Sequence, residues 1–173
     1  CSADIYSTVP NNFYGYKPAH NGNAYTGIAL FSSMNTDPIT VYAEYIECKL
    51  ISPLIAGATY EVSCYVKNMF PRDQNSSTNF MAVKDIGALL SNTQVLSYTH
   101  PLKHSSVSMK SSTGGFLQDT TKWVKISGYY TAKGGEEWMV LGGFYGGNMP
   151  PMSLVYPHIP GAVLGYLSYY TID

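Results

Sequence analysis

Aromatic rings set among amides and charges are the residues best placed to do chemistry in this chain. Sugar rings present apolar C–H faces that stack on flat aromatic faces, while neighbouring Asn, Asp, Gln or Arg bond the hydroxyls. Three segments carry that combination. Phe13, Tyr14 and Tyr16 lie in a Gly/Asn/Pro-rich opening stretch, and Phe70 leads into Arg72, Asp73, Gln74 and Asn75. Tyr145, Asn148, Tyr156 and His158 decorate a Pro-rich loop. Tyr14, Tyr16, Phe70, Arg72, Asn75, Tyr145, Asn148 and Tyr156 are therefore the candidate ligand-binding residues. Trp123, Tyr60 and Phe144 read as packing, because most aromatics in β proteins are core or cross-strand partners.

Catalytic chemistry finds no such support. The chain has no Gly-x-Ser-x-Gly, no His-Glu-x-x-His and no phosphate-binding Gly-x-x-x-x-Gly-Lys-Ser/Thr. His20, His100, His104 and His158 are scattered, and Pro101 breaks the helix that would align His100 with His104 for zinc. Glu136 and Glu137 are the only adjacent acids. In a strand they point to opposite faces, whereas glycoside hydrolysis needs two carboxylates facing one substrate. They read as one solvated strand start. Asn75-Ser76-Ser77 matches a glycosylation acceptor, idle in a bacterial source.

The elements that must position these residues are strands. The chain is 173 residues with 10 Lys+Arg against 11 Asp+Glu, so no basic surplus exists to neutralise phosphates, which argues against nucleic acid. Charged residues are 12% of the chain, about half the usual share of ~25%. In their place stand 18 Ser, 13 Thr, 10 Asn and 16 Tyr, a composition suited to an extracellular β protein. No apolar run approaches the ~18 residues of a membrane span. Apolar positions recur every second residue rather than at helical spacing. Runs at Ala24–Phe31, Val41–Ile51, Thr59–Asn68, Phe80–Leu90, Lys122–Ala132, Glu136–Tyr145 and Tyr166–Ile172 read as strands, with Thr93–Thr99 and Val107–Lys110 less marked. Tyr60, Val62, Cys64 and Val66 share one face of their strand; Glu61, Ser63 and Lys67 share the other. The expectation is a single all-β domain over 1–173, an antiparallel β-sandwich of the jelly-roll kind, with long loops at Phe70–Asn79 and Gly146–Gly161.

Cys48 and Cys64 flank a turn-like stretch, Ser52 to Gly57, and a hairpin there would set them opposite each other. A cross-strand disulfide and two reduced core cysteines both remain open. Cys1 suits either the lipidated first residue of a mature lipoprotein or the cut end of a longer chain.

The order of these segments resembles a domain of secreted and surface proteins of Bacteroidetes that often precedes an OmpA-like peptidoglycan-binding domain. It is similar to the galactose-binding-like jelly roll of many carbohydrate-binding modules. The matching residues include Val9-Pro10-Asn11-Asn12-Phe13-Tyr14-Gly15-Tyr16, Gly22-Asn23-Ala24-Tyr25-Thr26-Gly27-Ile28 and Glu44-Tyr45-Ile46. They continue through Leu54-Ile55-Ala56-Gly57-Ala58-Thr59-Tyr60-Glu61-Val62, Trp123 to Tyr130, Leu141-Gly142-Gly143-Phe144 and Tyr169 to Asp173. The family opens with an Asn-Gly-x-Phe-Glu strand that this chain lacks and continues past Asp173, so the resemblance implies a domain trimmed at both ends. It also implies a structural Ca²⁺ held by Asn21, Gly22 and Asp173, although calcium takes six to eight oxygens.

The function expected is a non-catalytic, extracellular or outer-membrane-associated module that binds carbohydrate or a cell-surface glycan, with an OmpA-like domain in its parent chain. The alternatives are a structural or adhesive surface module without sugar binding and, less favoured, a carbohydrate-active enzyme.

Overall fold

The computed structural model describes residues 9–34, 37–69, 78–95, 102, 107–146, 148–155 and 165–173. Among them there is no helix, hence none long and apolar enough to cross a membrane. The strands are β1 (Asn11–Asn12), β2 (Gly15–Tyr16), β3 (Thr26–Met34), β4 (Asp37–Tyr42), β5 (Tyr45–Lys49), β6 (Thr59–Asn68) and β7 (Thr78–Val83). They continue as β8 (Asp85–Ser91), β9 (Val107–Ser111), β10 (Val124–Thr131), β11 (Trp138–Gly142), β12 (Met152–Leu154) and β13 (Gly165–Ile172).

One large sheet runs β12-β7-β13-β6-β10-β9-β8-β11-β5 and curls back on itself, with β3 and β4 branching from β13. Among the described residues every pairing is antiparallel except β13 with β7. The fold is an all-β sandwich of the jelly-roll type. Its two layers meet over Ile28 and Leu30 of β3, Val62 and Val66 of β6, Ile86 of β8, Met109 of β9, Ile126 of β10 and Tyr170 of β13. Alternation explains which residues go inside: Val62, Val66 and Ile126 are buried, while Glu61, Ser63 and Lys125 on the opposite face are exposed.

Strand β13 is the hinge of this arrangement. Its first half lies between β7 and β3, and its second half between β6 and β3. Tyr170 in its middle is fully buried, yet its hydroxyl is satisfied: it accepts from the Val83 N–H at 3.0 Å and donates to the Leu117 carbonyl at 3.0 Å. On the opposite face of β13, Leu167 and Tyr169 pack with Tyr14, Met69 and Phe80 as a second, smaller cluster. The opening segment therefore lies across the outside of this sheet. Tyr14 stacks on Tyr169 at 5.2 Å, and a Cβ added to Gly27 would fall on the Tyr169 ring.

Two sequence-derived strands divide in the structure. Val41–Ile51 breaks between β4 and β5, where Glu44 takes over the ladder: its N–H donates to the Ala29 carbonyl and its Oε2 accepts from the Ala29 N–H, each at 2.7 Å. Phe80–Leu90 breaks at Lys84, because β7 pairs with β12 and β13 while β8 pairs with β9 and β11. The described part of Thr93–Thr99, residues 93–95, is not a strand.

Cys48 and Cys64 are free. The hairpin that would oppose them does not form: β5 pairs with β11, whereas β6 pairs with β10 and β13. Burial pushes the Cys64 thiol up to about 12, so it holds almost no thiolate at neutral pH. Glu136 also departs from expectation. It is buried, 2% exposed, and its carboxylate accepts from the Tyr130 hydroxyl and from the N–H groups of Lys133 and Gly134. It organises the turn before β11, while Glu137 pairs with Lys49 at the surface.

Two outcomes follow for the folded chain. Tyr170→Phe takes the hydroxyl from the buried Val83 N–H and leaves the Leu117 carbonyl only its longer bond from the Asn68 amide, a loss of about 1–3 kcal/mol by chemical denaturation. Alkylation of the native chain followed by peptide mass mapping labels exposed Cys48 and spares Cys64 until denaturant is added.

Candidate functional site

Among the described residues, the outer face at one end of β6 and β10 builds a chemically diverse groove. In register, Val124 pairs with Val66, so Trp123, one residue earlier, falls beside Lys67 on the face away from the core. The Lys67 ammonium lies over the Trp123 ring at 4.5 Å. A turn sets this indole: Asp119 Oδ1 accepts from the Thr121 N–H, the Thr121 hydroxyl and the Lys122 N–H at 2.7–2.9 Å. Burial works against the Asp119 charge, but these donors hold its carboxyl below the usual carboxylate range.

The opening segment supplies the other wall. β1 and β2 form a short hairpin closed by Gly15 at φ 103°. Asn12 ties the turn by accepting from the Tyr14 N–H at 2.9 Å. The chain then passes over β10, where the Pro18 carbonyl accepts from the Trp123 indole at 3.2 Å and Lys17 Nζ donates to the Thr120 carbonyl at 3.0 Å. His20 stacks on Tyr65 with ring centroids 3.6 Å apart. Tyr25 meets Trp123 edge-on at 5.7 Å. The result is an open groove of about 550 Å³ lined by Tyr16, Lys17, Pro18, Ala19, His20, Lys67, Thr121, Lys122 and Trp123.

The structure separates the sequence-derived ligand candidates. Tyr16 lines this groove and is 62% exposed. Tyr14 is buried against Tyr169 and Met69, so its ring is structural. Tyr145 packs on the main core and donates its hydroxyl to the Asp85 carbonyl at 2.9 Å; burial raises its pKa. Asn148 is exposed, and its N–H donates to the Tyr145 carbonyl. Phe70, Arg72, Asn75 and Tyr156 lie outside the described residues, as do His100, His104 and His158. Tyr60 and Phe144 serve packing: the Tyr60 hydroxyl accepts from the Ile55 N–H, and Phe144 lies against Tyr45. Trp123, expected to pack, instead lines the groove half-buried. The signal available in the sequence was its phase, in step with Lys125 and Ser127 and out of step with Val124 and Ile126.

Asn21, Gly22 and Asp173, the calcium candidates, meet in part. Asp173 Oδ2 accepts from the N–H groups of His20 and Asn21 at 2.7 and 3.1 Å, and the Asp173 backbone closes a pair of bonds with Tyr65. One carboxylate oxygen aimed at two N–H donors fits an amide lock better than a cation that takes six to eight oxygens. Among the described residues no group of three or more His, Cys, Asp or Glu is placed to hold a metal.

Two further depressions flank the sandwich. One, about 400 Å³, lies beside exposed Tyr129 and includes Leu89, Val107 and Lys133. The other, about 260 Å³, is mostly apolar, over Leu50, Leu54, Val62, Leu90 and Met139. Neither gathers several rings and several charges together.

No protein-family model, curated protein or solved structure matches the chain. The amide lock at Asp173 predicts the same melting temperature in millimolar calcium chloride and in chelator; a rise of several degrees with calcium would restore the cation to this turn.

Proposed function

We propose that the chain is a non-catalytic carbohydrate-binding module, displayed at the cell surface or secreted, and that the Tyr16–Trp123 groove is its binding site. The observation that carries this reading is the meeting of rings and polar side chains in one open groove. Tyr16 offers an exposed ring, Trp123 and His20 add aromatic edges, and Thr121 with three lysines supplies donors around them. Saccharide recognition needs that pairing of flat apolar surface with directed hydrogen bonds.

Two features support rigid binding over turnover. The walls are fixed before any ligand arrives, by the Asp119 turn on one side and by the Asp173 lock on His20 and Asn21 on the other. Preformed sites spend little entropy on ordering. The two carboxylates nearest the groove by these bonds, Asp119 and Asp173, each spend an oxygen on backbone N–H donors, which suits structural acids rather than a proton-transferring pair.

Glycan-array screening followed by calorimetry tests the reading. Tyr16→Ala removes one exposed stacking face and weakens binding about tenfold, on the order of 1 kcal/mol. Tyr129→Ala, at the far end of β10, leaves affinity unchanged. Silence of the wild type across all glycans would instead leave a structural or adhesive surface module.

A further inference from the structure

Lys67 is the feature of the groove that packing does not explain. It is 3% exposed, yet it projects from β6 on the face opposite the core. Among the described residues its ammonium has no hydrogen bond and no ion pair; its one polar contact is the Trp123 ring. A buried charge without a counter-charge destabilises the fold, so such groups are normally paired. Lys67 is left unpaired while lining an open groove, and Lys17 and Lys122 line the same groove. The nearby acid, Asp119, acts on Lys67 as a counter-charge without closing an ion pair, its Oδ1 being taken by three donors from residues 121 and 122. Burial, together with the Lys17 ammonium, draws the Lys67 pKa below the usual lysine range, with Asp119 pulling the other way. The groove thus has a cation in its wall whose stem is buried and whose ammonium opens to the groove, with two further cations beside it.

Resting on the carbohydrate reading above, we propose that the groove selects a saccharide bearing an anionic group, a carboxylate or a sulfate, with which the Lys67 ammonium closes the ion pair it otherwise lacks. The sugar ring lies against Tyr16, and Lys17 and Lys122 add positive field around the anion. Lys67 is held by Trp123 and by the strand, so it meets the anion at little ordering cost. A charge-assisted bond to an ammonium is stronger than a bond between neutral groups, which gives acidic over neutral sugars the advantage.

The test compares one uronic-acid oligosaccharide with its methyl ester, which keeps the rings and removes the charge, and with a sulfated oligosaccharide, by calorimetry at low and high salt. The acid or the sulfated sugar should bind at least about tenfold tighter than the ester, with the gap narrowing in salt. Whichever of the two binds tighter identifies the source of the anion. Lys67→Met keeps the length of the side chain and should erase the gap, with a melting temperature no lower than the wild type. Lys122→Gln, on an exposed side chain, should narrow it several-fold and stays readable if Lys67→Met does not fold. Equal binding of acid and ester, or binding of neutral glycans alone, overturns the selection and leaves the carbohydrate reading standing. Failure of every glycan overturns both. A melting temperature well below the wild type in Lys67→Met would make the ammonium structural and also overturn the proposal.

Discussion

The pleat of β6 and its neighbours imposes the constraint on which the rest depends. Side chains in a strand alternate, so once Val62 and Val66 enter the core, Lys67 must leave it on the other side. That outer face is not left to water. The opening segment lies across it, with Tyr14 on Tyr169 and His20 on Tyr65, and Pro18 and Lys17 bond to Trp123 and Thr120 in the turn before β10. The sandwich thereby gains a partial third layer. Where that layer ends, between Tyr16 and Trp123, the groove opens.

Two tethers keep the layer in place. At one, the carboxylate of Asp173 holds the N–H groups of His20 and Asn21 against the end of β13. At the other, Asn12 fixes the β1–β2 hairpin internally and donates to the Tyr25 hydroxyl at 2.6 Å. The first joins residues 153 positions apart through one side chain, and the second is local, within residues 12–25. The site is therefore coupled to the closing strand of the fold, and β13 serves at once as the centre of strand pairing and as the anchor of the groove wall.

Much of this was legible in the residue pattern, and the misses are physical rather than accidental. Thr59–Asn68 emerges with its boundaries unchanged, because one strand with one dry face writes a clean alternation. Val41–Ile51 and Phe80–Leu90 each looked continuous, because their breaks depend on partners distant in sequence: Ala29 replaces a ladder bond at Glu44, and a change of neighbours turns the chain at Lys84. Tyr14, Tyr16 and Tyr145 carry identical chemistry, so composition could not tell the exposed ring from the two packed ones. The turn at residues 13 and 14 interrupts the alternation that would otherwise place Tyr14 and Tyr16 on one face. Lys67 was legible as outward-facing, but its burial was not, since the Trp123 ring it meets and the residues Lys17 to His20 that share its groove lie far from it in sequence.

The most direct measurement is heteronuclear NMR of the labelled chain during titration with an acidic oligosaccharide. The account predicts that the Trp123 indole N–H and the backbone signals of residues 16–20 and 121–122 move first and furthest, while Tyr129 and its neighbours stay still. Perturbations centred on Tyr129 and Lys133, or on Leu54 and Met139, would place the site elsewhere and contradict it.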